Sequence, residues 1–186
     1  MCECADALRL KKLNMCNNKN PGKLPGFFNF EPMENGMHEN FMRMAIALAE
    51  SNIEQRLGGP FGAVIVKDGE VVASSANKVV PENDPTAHAE ISAIRLACKA
   101  LGTYNLSGCD IYTSCEPCPT CLGAIYWAHI DKIYYANTKA DAADIGFDDH
   151  FIYDEMACSM DERKLPFVQL LRDEALPAFK RWQEIG

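Results

Sequence analysis

The chain has 186 residues, of which 48% are hydrophobic, enough for one compact core plus an extension. Lysine and arginine total 18 against 26 acidic residues, and the resulting charge of −8 argues against a nucleic-acid grip and for a small-molecule partner. No apolar run approaches membrane-spanning length, and nine cysteines without an apolar leader point to a reducing cytoplasm over a secreted disulfide framework.

Residues 1–34 mix Asn, Lys, Pro and Gly with scattered Phe and Met and lack sustained periodicity. They read as a weakly ordered N-terminal extension, partly packed through Phe27, Phe28 and Phe30, with Cys2 and Cys4 as exposed thiols. Residues 35–186 read as one domain. From about Glu39, the residues Phe41, Met42, Ala45, Ile46, Leu48 and Ala49 recur at helical spacing, and the helix ends near Gly58-Gly59-Pro60. Ala63 to Val66 and Val71 to Ser74 flank Asp68-Gly69, which signals a hairpin. Asn83-Asp84-Pro85-Thr86 precedes the run Ile91 to Ala97, which predicts a helix starting near His88. A strand from Asp110 to Ser114, a helix from Cys118 through Trp127 and a strand from Lys132 to Ala136 follow. A helix over Phe151 to Met156 and a short strand from Phe167 to Leu171 close the chain. This alternation predicts an α/β fold with a mixed central sheet of about five strands and helices on both faces.

Two segments carry chemistry. Thr86-Ala87-His88-Ala89-Glu90 supplies an imidazole and a carboxylate, and Pro117-Cys118-Pro119-Thr120-Cys121 supplies two thiolates. One imidazole and two thiolates make a three-ligand zinc site with an open fourth position, and Glu90 remains beside it as a proton carrier. On a helix, residues two apart lie about 200° apart around the axis, so His88 and Glu90 can share a site only beyond the helix N-terminus. Cys118 and Cys121, three apart at the start of a second helix, project to one side, and Pro119 suits a first turn. Two positive helix ends then favour the thiolates.

The cysteines admit other readings. A Cys-x-x-Cys alone can be a redox pair or half a zinc knuckle. An iron–sulfur site needs a further cysteine where Ile125 stands. A closed site with Cys115 as fourth ligand leaves Glu90 without a role, so Cys115 reads as a strand-end cysteine near the site.

The pattern H-x-E…P-C-x-x-C resembles that of zinc nucleobase deaminases. Residues 37–182 are similar to the cytidine-deaminase-like superfamily, and within it to the small bacterial guanine deaminases. The matching segments are Gly58 to Val66, Asn83 to Glu90, Ser114 to Cys118, Cys121 to Trp127 and Ala143 to Asp149. Gly146-Phe147-Asp148-Asp149 is the part that the wider superfamily does not share. The resemblance implies a three-layer cytidine-deaminase-like fold, one zinc per subunit held by His88, Cys118 and Cys121, and hydrolysis of guanine to xanthine. It makes Glu90 and Asp149 the catalytic candidates. The candidate contacts to the base are Asn77, Phe61, Ala89, Trp127 and Asp148. Helix capping by Asp148 or Asp149, a turn role for Asn77 and core packing of Phe61 and Trp127 are the rival readings.

The resemblance also implies a homodimer, with the segment from about residue 165 exchanged between subunits. The chain departs from its relatives in a short tail after Trp182 and in Thr120 and His129. Deamination of guanosine, an aminated triazine or cytosine is the nearest alternative activity. A tRNA adenosine deaminase and a non-catalytic zinc-stabilised module stand further off.

Overall fold

A computed structural model of the protein describes residues 33–185. All but the last two residues of the expected extension, including Phe27, Phe28, Phe30, Cys2 and Cys4, lie outside the described residues. The chain divides into two compact units that meet in sequence at His150 and Phe151.

In the first unit, helix α1 (Met33–Glu54) leads to strands β1 (Gly62–Lys67) and β2 (Glu70–Ala76). The short helix α2 (Val79–Glu82) and helix α3 (Ala89–Leu101) follow. Strand β3 (Cys109–Cys115), helix α4 (Pro119–Trp127), strand β4 (Lys132–Asn137) and helix α5 (Lys139–Asp144) complete it. The strands form one sheet in the order β2-β1-β3-β4, antiparallel except for the parallel β3/β4 pair. The expected mixed sheet is present.

Local chemistry fixes these elements. Asp68 and Gly69 both have positive φ, 51° and 79°, which a two-residue primed hairpin turn demands and which Asp-Gly tolerates. Gly102 ends α3 in the left-handed conformation, its N–H returning to the Cys98 carbonyl. Thr138 opens α5 with a reciprocal capping box to Asp141.

Strand alternation divides the core between the faces of the sheet. On one face, Phe41 and Ala45 of α1 pack on Val64, Val66 and Tyr112. On the other, Ala89, Ala93 and Ala97 of α3 and Ile125 of α4 pack on Ala63, Ile65 and Ile111. Alanines four apart let α3 approach the sheet closely, which brings its first residues to the sheet's C-terminal edge beside α4.

At one crossing, α1 and β1 meet backbone to backbone. A Cβ on Gly62 would lie 2.2 Å from the Ala45 carbonyl oxygen and 3.0 Å from the Ala49 nitrogen, so neither neighbour can yield by changing rotamer. Gly62→Ala is therefore expected to destabilise the protein by about 3 kcal/mol, at the severe end of overpacking. A lowered denaturation midpoint with an unchanged slope measures the loss; a midpoint equal to the wild type's would contradict this packing.

The second unit carries helices α6 (His150–Ala157) and α7 (Arg172–Ile185). Ser159 and Glu162 bond at 2.7 Å, and the Lys164 N–H donates to Glu155 at 2.8 Å. The strand expected at Phe167–Leu171 does not form, and the sheet has four strands where about five were expected. The apolar run is there, but a strand also needs a partner ladder, and this unit offers none among the described residues.

Candidate metal centre

His88 and Cys118 are the N-cap residues of α3 and α4, and neither side chain makes a regular capping hydrogen bond. An N-cap side chain normally accepts a first-turn N–H. Here both project past the helix ends instead, into the space where unpaired N–H groups favour negative charge. Pro119 occupies the first turn of α4, and Cys121 lies on its buried side. The helix-start geometry expected from the sequence is the one observed.

The ligand atoms of His88, Cys118 and Cys121 all lie within 4.8 Å of one another. His88 Nδ1 is 3.5 Å from Cys118 Sγ and 3.4 Å from Cys121 Sγ. A tetrahedral zinc with bonds of about 2.0 Å to nitrogen and 2.3 Å to sulfur separates those atoms by about 3.5 Å. The donor set and its spacing therefore fit zinc without rearrangement.

Hydrogen bonding within the cluster distributes its charge. The Cys121 thiol, then His88, hold Cys118 down to about 4. Cys121 is pushed up in return, by sharing its proton with Cys118 and by burial. His88 is raised by its bond to Cys118.

Glu90 is 6% exposed, beside the cluster and outside the ligand set. Burial pushes its carboxyl above the ordinary carboxylate range, opposed in part by its own backbone N–H and by the Cys121 thiol. Its Oε1 lies 3.3 Å from the Thr113 hydroxyl, which is also 3.0 Å from the Cys115 carbonyl oxygen. Thr113 escaped the sequence reading. The signal available was a hydroxyl at an inward position of β3, two residues after Ile111 and aimed at the same helix. Cys115 ends β3 with its thiol 3.6 Å from the Thr138 carbonyl oxygen, apart from the ligand set.

The remaining candidates separate. Asp149 is raised by burial and by the charge of Cys118, which puts its carboxylate within electrostatic reach of the cluster. Asp148 instead accepts the His150 N–H at 2.9 Å, an Asx turn leading into the next helix. Asn77 is buried; its Oδ1 accepts the Val79 N–H at 3.3 Å and its own N–H donates to the Phe61 carbonyl at 2.9 Å. Phe61 meets Phe147 edge-on at 5.0 Å between centroids, tying the Gly146–Asp149 segment to the loop before β1. Ala89 is fully buried beside His88. Trp127 is not brought to the cluster: it is 84% exposed at the far end of α4, roughly 13 Å along the helix from Cys118 at 1.5 Å per residue.

Comparison with known proteins agrees with this geometry. Residues 35–137 match the family described as the cytidine and deoxycytidylate deaminase zinc-binding region. The chain is 53% identical over 149 residues to the guanine deaminase of Bacillus subtilis (strain 168), covering 80% of this chain and 96% of that one. The X-ray structure of that guanine deaminase superposes with a TM-score of 0.77, covering 79% of this chain and 94% of its own. A tRNA-specific adenosine deaminase of Agrobacterium fabrum is 46% identical over a shorter stretch, 58% of this chain and 71% of that one. With a zinc-fitted His-Cys-Cys cluster inside the matched region, the chain belongs to the family of the cytidine and deoxycytidylate deaminase zinc-binding region.

Proposed function

We propose that this protein hydrolyses guanine to xanthine and ammonia at the centre formed by His88, Cys118 and Cys121. The observation that carries the reading is the buried carboxyl of Glu90 beside a zinc-fitted His-Cys-Cys cluster, and the charge of Cys118 also helps to raise a second carboxyl, Asp149. Guanine presents N–H donors along its amidine edge, and a carboxylate accepts them. The extent of similarity to the Bacillus subtilis guanine deaminase supports the same choice.

Zinc, when bound by the three side chains, supplies a Lewis acid that makes hydroxide available near neutral pH. Glu90 takes the proton of the attacking water and delivers it to the departing amine as the C2–N bond breaks, so the water oxygen stays on the base and ammonia leaves. A carboxyl raised by burial is matched to that double task. Asp149 accepts from the amidine edge, Asn77 offers its amide to the ring edge, and Phe61 forms an apolar wall with Ala89 behind the metal ligands. Asp148, engaged with the His150 N–H, positions the segment. A panel of guanine, guanosine, cytosine and adenine tests the assignment. Turnover of guanine above the other three supports it; preference for any of them moves the substrate.

We further infer a homodimer that exchanges the segment from about residue 165, within a deaminase domain spanning 35–186. Leu165, Phe167, Val168, Leu170, Leu171, Phe179 and Trp182 are all more than half exposed, which is more apolar surface than a free chain tolerates. Tyr126 and Trp127 are equally exposed on the first unit. Truncation after Lys164 is expected to convert a dimer measured by light scattering into an aggregation-prone monomer; a full-length monomer would refute the exchange. No described helix is long and apolar enough to cross a membrane. Cys98 and Cys109 are free thiols, which suits a reducing cytoplasm.

A further inference from the structure

Asn52 belongs to the last turns of α1, and none of the chemistry above uses it. Its side chain is buried, at 4% exposure. Nδ2 donates one hydrogen to the Gly59 carbonyl at 2.8 Å and the other to the Asn77 carbonyl at 3.0 Å. Those carbonyls belong to the loop entering β1 and to the residue leaving β2, so one amide on a helix joins two separate segments. The junction is tight. A Cβ on Gly58 would lie 3.0 Å from both the Asn77 carbonyl oxygen and Oδ1, and 3.1 Å from Asn52 Nδ2. The Asn77 N–H closes the arrangement by donating to the Phe61 carbonyl. A Cβ on Gly59 would lie 3.1 Å from the Phe61 ring and 3.3 Å from that of Phe147. Phe61 and Asn77, the two side chains assigned to the base, thus share a backbone junction anchored to α1 by a single amide.

We propose that Asn52 is a positioning residue for base recognition: its amide bridges the Gly59 and Asn77 carbonyls and thereby sets Phe61 and Asn77 against the substrate. Only a side chain with two donors on one short, planar head can do this. Asp has the shape without the hydrogens, Leu has the volume without polarity, and Ser reaches one carbonyl at most. The metal ligands stand at the starts of α3 and α4, and the bridge bonds to neither; the link between them is the Lys78 N–H donating to the Ala87 carbonyl at 2.8 Å. Loss of the bridge therefore acts on substrate binding and leaves the metal and the proton transfers in place. The substrate consequence rests on the guanine reading; the bridge itself does not.

The test uses the zinc-loaded full chain carrying Asn52→Ala and Asn52→Leu, with Asn52→Ser as the variant to read if both fold poorly. Zinc content and kcat are expected within about twofold of wild type, while KM for guanine rises about tenfold, equivalent to about 1.4 kcal/mol of binding. Because Asn52 acts in part through the Asn77 side chain, adding Asn52→Ala to Asn77→Ala is expected to raise KM by less than it does in the wild type, the remainder passing through Phe61, whereas a general structural defect would add its full effect. Amide hydrogen exchange over residues 58–62 and 76–79 is expected to speed up by about tenfold, which is read without any substrate. An unchanged KM, an undiminished KM rise in the Asn77→Ala background, or unchanged exchange overturns the proposal. If the wild type leaves guanine intact, the guanine reading fails and exchange alone decides the bridge.

Discussion

Replacing Glu90 by Gln is expected to cut kcat about 10³-fold, within the range that positioned acid–base groups supply, while zinc content and melting temperature stay at wild-type values. Glu90 is buried, its carboxyl is raised, and it lies outside the ligand triangle. Gln preserves the volume and an oxygen that can face the Thr113 hydroxyl, so packing should survive. What Gln cannot do is take a proton from water and return it to an amine. The comparison needs three readings on one preparation: turnover, zinc per chain and thermal midpoint. Activity within tenfold of wild type would show that the proton moves by another route.

The second large effect belongs to Cys118. Cys118→Ser is expected to lose stoichiometric zinc, to lose activity by about 10³-fold or more, and to melt well below wild type, because metal bound only by the folded state contributes its binding energy to stability. The Cys121 thiol and His88 hold the Cys118 thiol down to about 4. A serine hydroxyl does not ionise there. Cys115→Ser is the contrasting variant. Its thiol faces the Thr138 carbonyl, and burial pushes it up to about 11, the behaviour of an inert structural cysteine. It is expected to keep zinc and most activity. Zinc loss in Cys115→Ser, or full zinc in Cys118→Ser, would redraw the ligand set.

The sequence made the centre legible because its constraints are local. His88 to Glu90 and Cys118 to Cys121 each span a single turn, so spacing alone implies that their side chains meet beyond a helix start, and both stand at helix N-termini in the structure. Asp68-Gly69 was legible for the same reason: two positive φ values leave few other sequences. The choice between Asp148 and Asp149 was not local. Both can cap a helix, and only the tertiary fold shows that Asp148 takes the His150 N–H while Asp149 feels Cys118. Trp127 sits on the expected helix, and only the structure shows that it stands 84% exposed at that helix's C-terminal end. Phe167–Leu171 reads as a strand by composition, yet pairing depends on a neighbour that no local pattern supplies. Asn52 lies beyond any such reading: a polar residue on a helix signals nothing until the two carbonyls it bridges arrive from elsewhere in the chain.

The most direct test is turnover of guanine by the zinc-loaded protein in water labelled with heavy oxygen. One ammonia and one xanthine per guanine, with a single heavy oxygen at C2 of the product, is the predicted result. Guanine left unchanged by fully metallated protein, or xanthine formed without the label, would contradict a hydrolytic guanine deaminase at this centre.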